Sequence, residues 1–208
     1  MTRSGLTPVL MRAAESHLRH ADPVMAGLID HHGPCVLAER SHQPFHTLVT
    51  SIISQQLSAR AADTIERRVA QLVPSPFRPE DLLQVPLERL REAGLSTRKA
   101  TYMRELANRI IDGRLSFDVL ASAADETVIE ALVELPGIGR WTAEMYLIFG
   151  LKRPDVLSLG DAGLQRAVKM LYCANKRRNI SLERIAENWA PHRSVASWYL
   201  WRHLDTVR

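Results

Sequence analysis

Leu135-Pro-Gly-Ile-Gly-Arg-Trp-Thr-Ala143 is the stretch that decides how this chain is read. Pro136 fixes its own φ, and Gly137 and Gly139 can take backbone angles closed to other residues, so Leu-Pro-Gly-Ile-Gly is a tight turn. From Arg140 to Leu151 apolar residues recur at helical spacing (Ala143, Leu147, Ile148, Leu151), with no proline before Pro154. Upstream, Glu126 to Glu134 is a second, shorter helical run. The unit is therefore helix, glycine turn, helix. Such a turn presents backbone N–H groups at a helix N-terminus, and its two glycines carry no side chain that would keep a phosphate away. An ordinary helix–helix turn would need only one Pro-Gly. Pro-Gly-x-Gly, followed by a basic residue and a strong helix, points to contact with DNA.

Downstream, Lys152-Arg-Pro-Asp155 is a turn and Val156-Leu-Ser-Leu159 a short apolar link. Gly160-Asp161 opens a helix carrying Leu164, Ala167, Val168 and Leu171, with Asp161 placed as its N-cap. The returning segment is long enough to bring Asp161 beside the hairpin helix. A carboxylate in an aromatic-walled cleft there could stabilise positive charge on a deoxyribose or orient a water towards C1′. Spacing alone leaves the cap and the catalytic reading both open. Trp141 is a π surface without a nucleophile, so it cannot form the Schiff base a lysine could. Together with Met145 and Trp201 it could make an electron-rich slot for a flat, electron-poor base. Some of Trp141, Trp189, Trp198 and Trp201 must also serve the core.

The remaining chain reads as helix after helix, an all-α protein of roughly ten helices. Residues 8–33 hold two helices, the second started by Asp22-Pro23. Pro44 opens one with Phe45, Leu48, Val49, Ile52 and Ile53 on its apolar face. It ends in Ser54-Gln-Gln-Leu-Ser58, where Ser58 caps the next helix. The two glutamines at this corner are simply solvated, or they form a finger able to enter a DNA stack; wedges between bases are more often apolar, which favours solvation. Pro74, Pro76 and Pro79 mark a loop. Ser96-Thr-Arg98-Lys99 starts a helix running to Ile111. Two cations in a first turn oppose the helix dipole, so either a nearby phosphate or plain solvation accounts for them. Lys176-Arg-Arg178 is a basic loop, and the last helix spans His192 to Leu204.

Bulk properties narrow the class. The chain has 208 residues, a net charge of +4 and 46% hydrophobic residues, enough for a real core and a mild match to a polyanionic partner. No apolar run has the length of a membrane span, and no signal-peptide core follows Met1; a cytoplasmic monomer is expected. Cys35 and Cys173 are too few for a disulfide framework or an iron–sulfur cluster. His31-His32, His42 and His46 have no metal-ligand spacing.

Five segments taken together resemble the helix–hairpin–helix DNA glycosylase superfamily, and within it the AlkA-type 3-methyladenine-DNA glycosylases. They are Ser51-Ile-Ile-Ser-Gln-Gln-Leu-Ser58, Gly94-Leu-Ser-Thr-Arg-Lys99, Leu135 to Ala143, Asp155-Val156 with Gly160-Asp161, and Arg193-Ser194 through Trp201-Arg202. The resemblance runs over residues 20–205. It implies two helical subdomains, residues 40–130 against 1–39 with 131–208, and an active-site cleft between them. It makes Asp161 the catalytic aspartate, and puts Trp141, Met145 and Trp201 at the base pocket. Gln56 becomes the wedge that fills the gap left by a flipped nucleotide. Gln55, Ser58, Arg98, Lys99, Gly137, Gly139, Arg140 and Thr142 fall at DNA-binding positions. The carbonyls of Val133, Leu135 and Ile138 match positions that hold a monovalent cation, Na+ or K+.

The resemblance also implies a chemistry. Trp141 stands where bifunctional relatives carry lysine, and the cysteine cluster of iron–sulfur relatives is absent. Both imply a monofunctional enzyme that needs no cofactor and leaves an abasic site, and the AlkA-type resemblance implies that it releases alkylated bases, of the 3-methyladenine and 7-methylguanine type, from double-stranded DNA. The chain has no room for the N-terminal β-rich domain of longer relatives, and Met145 stands where some carry tyrosine; both bear on substrate range. Two other readings share many of these residues: a non-catalytic helix–hairpin–helix DNA-binding module, and a glycosylase for mismatched or deaminated bases.

Overall fold

The computed structural model describes residues 5–39, 43–173 and 181–207. His42 and the basic run Lys176-Arg-Arg178 lie outside the described residues. Among these residues there are thirteen α-helices and no strand, and no helix is long and apolar enough to cross a membrane. The described residues divide into two compact units, 43–151 and 5–39 with 152–173 and 181–207.

In the first unit the chain order is α3 (Pro44–Ser54), α4 (Ala59–Ala70), α5 (Pro79–Gln84), α6 (Leu87–Glu92), α7 (Thr97–Ile111), α8 (Phe117–Ser122), α9 (Asp125–Val133) and α10 (Arg140–Met145). The second unit holds α1 (Pro8–Ala21), α2 (Pro23–His32), α11 (Ala162–Tyr172), α12 (Leu182–Ala186) and α13 (Arg193–Thr206). The helices beyond the ten expected are short. Pro79 opens α5 instead of ending a loop, and α5 and α8 have six residues each, too few for a periodic pattern to show.

α3 is the hub of the first unit. Phe45, Leu48, Val49, Ile52 and Ile53 are all buried, and α3 packs against α4, α7, α10 and the turn that follows α10. That turn, Tyr146–Gly150, is π-helical: the Leu151 N–H reaches the carbonyl of Tyr146 at 2.9 Å. The helix expected from Arg140 to Leu151 is thus widened in its second half. Gly150 makes room for this, because a Cβ there would stand 2.6 Å from the ring of Tyr146. Because α10 packs on both α9 and α3, residues 131–151 belong with the first unit. The boundary expected near residue 130 therefore lies at Leu151.

The second unit closes the chain on itself. α2 packs on α1 and α13, and α13 packs on α11, burying Leu18, Met25, Leu28, Leu164, Trp189, Tyr199 and Leu200. Asp22 is its polar node. Its Oδ1 caps α2 by accepting from the Val24 and Met25 N–H groups. Its Oδ2 accepts from the Tyr172 hydroxyl at 2.7 Å and the Trp189 Nε1–H at 2.8 Å. A buried carboxylate with four donors is satisfied. Burial, with the hydrogen bond to Asp22 adding to it, pushes the Tyr172 phenol far above its ordinary range.

Candidate active site

The hairpin is built between α9 and α10. The Ile138 N–H returns to the carbonyl of Leu135 at 3.1 Å, and Gly137 has φ 82°, a left-handed conformation that favours glycine. Space demands glycine there as well: a Cβ on Gly137 would stand 1.9 Å from the ring of Tyr102. Gly139 differs from the expectation. Its φ is −96°, open to any residue, and a Cβ there would meet nothing within 4 Å. Neither the backbone nor the packing of this chain calls for glycine at 139, so what it leaves open is the approach to the N-terminus of α10.

Side chains from α3 and α7 hold this turn in place. Gln55 Nε2 donates to the carbonyl of Gly137 at 2.8 Å and to Thr142 Oγ1 at 2.9 Å, joining the end of α3 to both sides of the hairpin. Lys99 Nζ donates to the carbonyls of Ile53 and Gln55 at 2.8 and 2.7 Å, where α3 ends and its carbonyls lack partners. Burial lowers the Lys99 ammonium below the ordinary lysine value. Arg98 Nε donates to the Tyr102 hydroxyl at 2.6 Å, and its guanidinium lies 5.8 Å from the centre of that ring. Arg140 is paired with Glu126 through two bonds, 2.7 and 3.0 Å, and with Glu144 at 3.1 Å. The hydrogen bonds from Arg140 hold Glu126 below the usual carboxylate range. Of the cations expected at DNA, then, Lys99 closes α3 and Arg140 ties α10 to α9, while Arg98 stays exposed on a neutral partner.

Next to Gln55, Gln56 is exposed and has φ 57°, an uncommon conformation for a residue with a side chain. It forms the tip of the α3–α4 corner, and Ser58 caps α4 by accepting from the Ala61 N–H. Trp141 is half-buried and Met145 buried on α10.

In the second unit the segment leading to Asp161 is clamped by α13. Arg193 bonds both oxygens of Asp155, at 2.6 and 2.7 Å. Ser194 Oγ accepts from the Val156 N–H at 2.9 Å. Two turns further along α13, Trp201 Nε1–H donates to Asp161 Oδ1 at 3.0 Å. The same oxygen caps α11 by accepting from the Leu164 N–H at 2.7 Å. Asp161 is 7% exposed, so two donors fix an almost buried carboxylate at a helix N-terminus, a place that suits an anion. The cap and the aromatic neighbour coexist in one residue. Sequence reasoning missed Tyr102 and Gly163. Tyr102 sits one helical turn after Arg98, the spacing at which their contact was legible. Gly163 falls inside the first turn of α11, where helix propensity alone disfavours it.

Residues 49–192 match the HhH-GPD superfamily of base excision DNA repair proteins. DNA-3-methyladenine glycosylase 1 of Schizosaccharomyces pombe is 31% identical over 199 residues, covering 91% of this chain and 86% of that protein. The crystal structure of a DNA-3-methyladenine glycosidase from Bacillus halodurans superimposes with a TM-score of 0.71 at 39% identity, covering 97% of this chain and 91% of the other. The Schizosaccharomyces pombe 3-methyladenine DNA glycosylase in complex with abasic DNA superimposes with a TM-score of 0.76 at 28% identity, covering 93% and 97%.

Proposed function

The chain belongs to the HhH-GPD superfamily of base excision DNA repair proteins, and on that premise we propose that it is a monofunctional DNA glycosylase removing alkylated bases from double-stranded DNA. The observation that carries this reading is Asp161, nearly buried and fixed through Oδ1 by the Leu164 N–H and the Trp201 indole. Relatives named for 3-methyladenine supply the substrate class.

The hairpin turn, the first amides of α10 and Arg98 hold the backbone, with Gln56 entering the duplex as the damaged nucleotide swings out. An alkylated purine carries positive charge and a weakened bond to C1′. That bond breaks with its electron pair leaving on the base, and water supplies the oxygen that closes on C1′ as its proton is lost. Asp161 stabilises the oxocarbenium-like sugar between these events. With tryptophan and no amine at position 141, water is the nucleophile, and an abasic site is the product. Trp141, half-buried on α10, offers an aromatic face for the flipped base.

No cofactor enters this chemistry. The carbonyls of Val133, Leu135 and Ile138 are hard, neutral oxygen donors that suit a monovalent cation. Leu135 already accepts from the Ile138 N–H and keeps a second lone pair for an ion that would stiffen the turn. We place the enzyme in the cytoplasm, acting as a monomer on double-stranded DNA.

The test is base release from duplex DNA methylated with dimethyl sulfate. Wild type frees 3-methyladenine. Asp161→Asn binds the DNA and frees none, because asparagine also caps a helix and preserves the fold. Equal release by both proteins would remove Asp161 from the mechanism. No release from either, with binding intact, would favour the non-catalytic module or another lesion.

A further inference from the structure

Gly163 is the second residue of α11, the helix that Asp161 caps. Its backbone does not explain it, since it is absent from the positive-φ glycines. Propensity argues against it, because alanine would favour the helix by about 1 kcal/mol. What distinguishes the position is space. A Cβ on Gly163 would stand 2.9 Å from Asp161 Oδ1 and 3.4 Å from both Cδ1 and Nε1 of Trp201. The first distance is shorter than a Cβ keeps from any non-bonded heavy atom. The missing side chain therefore lies in the angle between the two groups that make the 3.0 Å indole–carboxylate bond.

We propose that Gly163 is a positioning residue: its bare Cα leaves the slot in which Trp201 and the Asp161 carboxylate meet, and so sets the orientation of that carboxylate. The inference rests on the reading of Asp161 as the catalytic group for its effect on rate, but its geometric content stands apart from it. A methyl group at 163 displaces Oδ1, the indole, or both. Oδ1 is also tied to the Leu164 N–H, so the strain falls on the indole bond, whose donor rides on a separate helix. The carboxylate then keeps its cap and loses its second anchor.

Two measurements on Gly163→Ala test this. The first is the amide and indole proton–nitrogen spectrum of the free protein, in which Trp201→Phe identifies the Trp201 Nε1–H signal. Gly163→Ala shifts that signal towards the position of a non-bonded indole while thermal unfolding stays cooperative. The second is single-turnover base release with DNA affinity measured separately. Release slows about ten- to a hundredfold, the scale of a small misplacement of a reacting group, and affinity is unchanged. In the Trp201→Phe background the same substitution slows release by a smaller factor, because that anchor is already lost. An unmoved Trp201 signal, wild-type release by Gly163→Ala, or an equal factor in both backgrounds would overturn the proposal. Failure of the Asp161→Asn experiment would instead leave the spectral shift in place, so the two ideas fail separately.

Discussion

Trp201 and Asp161 are 40 residues apart in sequence and share one hydrogen bond, Nε1–H to Oδ1 at 3.0 Å, on the oxygen that also caps α11. The bond makes the indole more than a wall: it is half of the fixture that aims the carboxylate. Trp201→Phe keeps an aromatic ring but removes the donor together with part of the indole's surface. A hydrogen bond to a charged group contributes about 1.5–3 kcal/mol. Single-turnover base release from methylated duplex is therefore expected to slow about tenfold or more, with DNA affinity close to wild type. A wild-type rate would show that the indole bond does not aim the carboxylate.

Gln55 and Gln56 are neighbours with opposite duties, and their variants separate them. Gln55→Ala strips the donor from the Gly137 carbonyl and from Thr142 Oγ1, and Thr142 is only 2% exposed. Leaving such groups unsatisfied costs about 1–3 kcal/mol, so the thermal midpoint falls. Gln56→Gly relaxes the left-handed residue at φ 57°, worth about 1 kcal/mol, so the midpoint rises. With Gln56 as the proposed wedge, the same variant is expected to release base more slowly. A lower midpoint for Gln56→Gly would place its side chain in the fold and not in the duplex.

The helices with a long apolar face were legible. The buried apolar set of α3 is the set its sequence spacing marks, and the caps of α2, α4 and α11 stand at Asp22, Ser58 and Asp161. What was not legible depends on partners distant in sequence. Two cations at the start of α7 oppose their own dipole, which left a nearby phosphate and plain solvation both open. Lys99 instead serves the end of another helix, 46 residues away at Ile53. Arg140 looked available because Glu126, 14 residues back, becomes its neighbour only when the hairpin folds. The π turn after α10 is equally invisible, since apolar residues there fit an α-helix as well as a wider one. Of the two reasons the sequence offered for Gly139, the backbone one fails, because its φ of −96° is open to any residue, and the space left beside the turn remains.

That distinction among cations is measurable. Lys99→Met removes two charge-assisted bonds to the end of α3, at a cost of about 1–3 kcal/mol, and lowers the thermal midpoint. Because its ammonium faces carbonyls, the salt dependence of DNA binding keeps its slope. Arg98→Met should do the reverse. Its guanidinium is exposed and bonded to a neutral hydroxyl, so its loss reduces the slope by about one phosphate contact with little change in midpoint. A flatter salt dependence in Lys99→Met would return that residue to the DNA interface.

Acid should weaken the second unit before its carboxylates titrate. Burial, then His31, His203 and Arg202, lowers His32 below the ordinary value of 6.5. Burial, then His17, lowers His192 from the same value, with Asp155 opposing. The His17 and His192 rings are 5.3 Å apart, and Nδ1 of His192 is buried with no hydrogen-bond partner among the described residues. A histidine with a lowered folded-state value binds fewer protons folded than unfolded between that value and 6.5. Stability therefore rises with pH across this window and is lost as pH falls through it. Thermal midpoints taken between about pH 7.5 and pH 5 should decline from near 6.5 downward. His192→Gln, which cannot take up the proton, should decline less steeply. Parallel curves for wild type and His192→Gln would show that His192 binds its proton equally well in the folded chain.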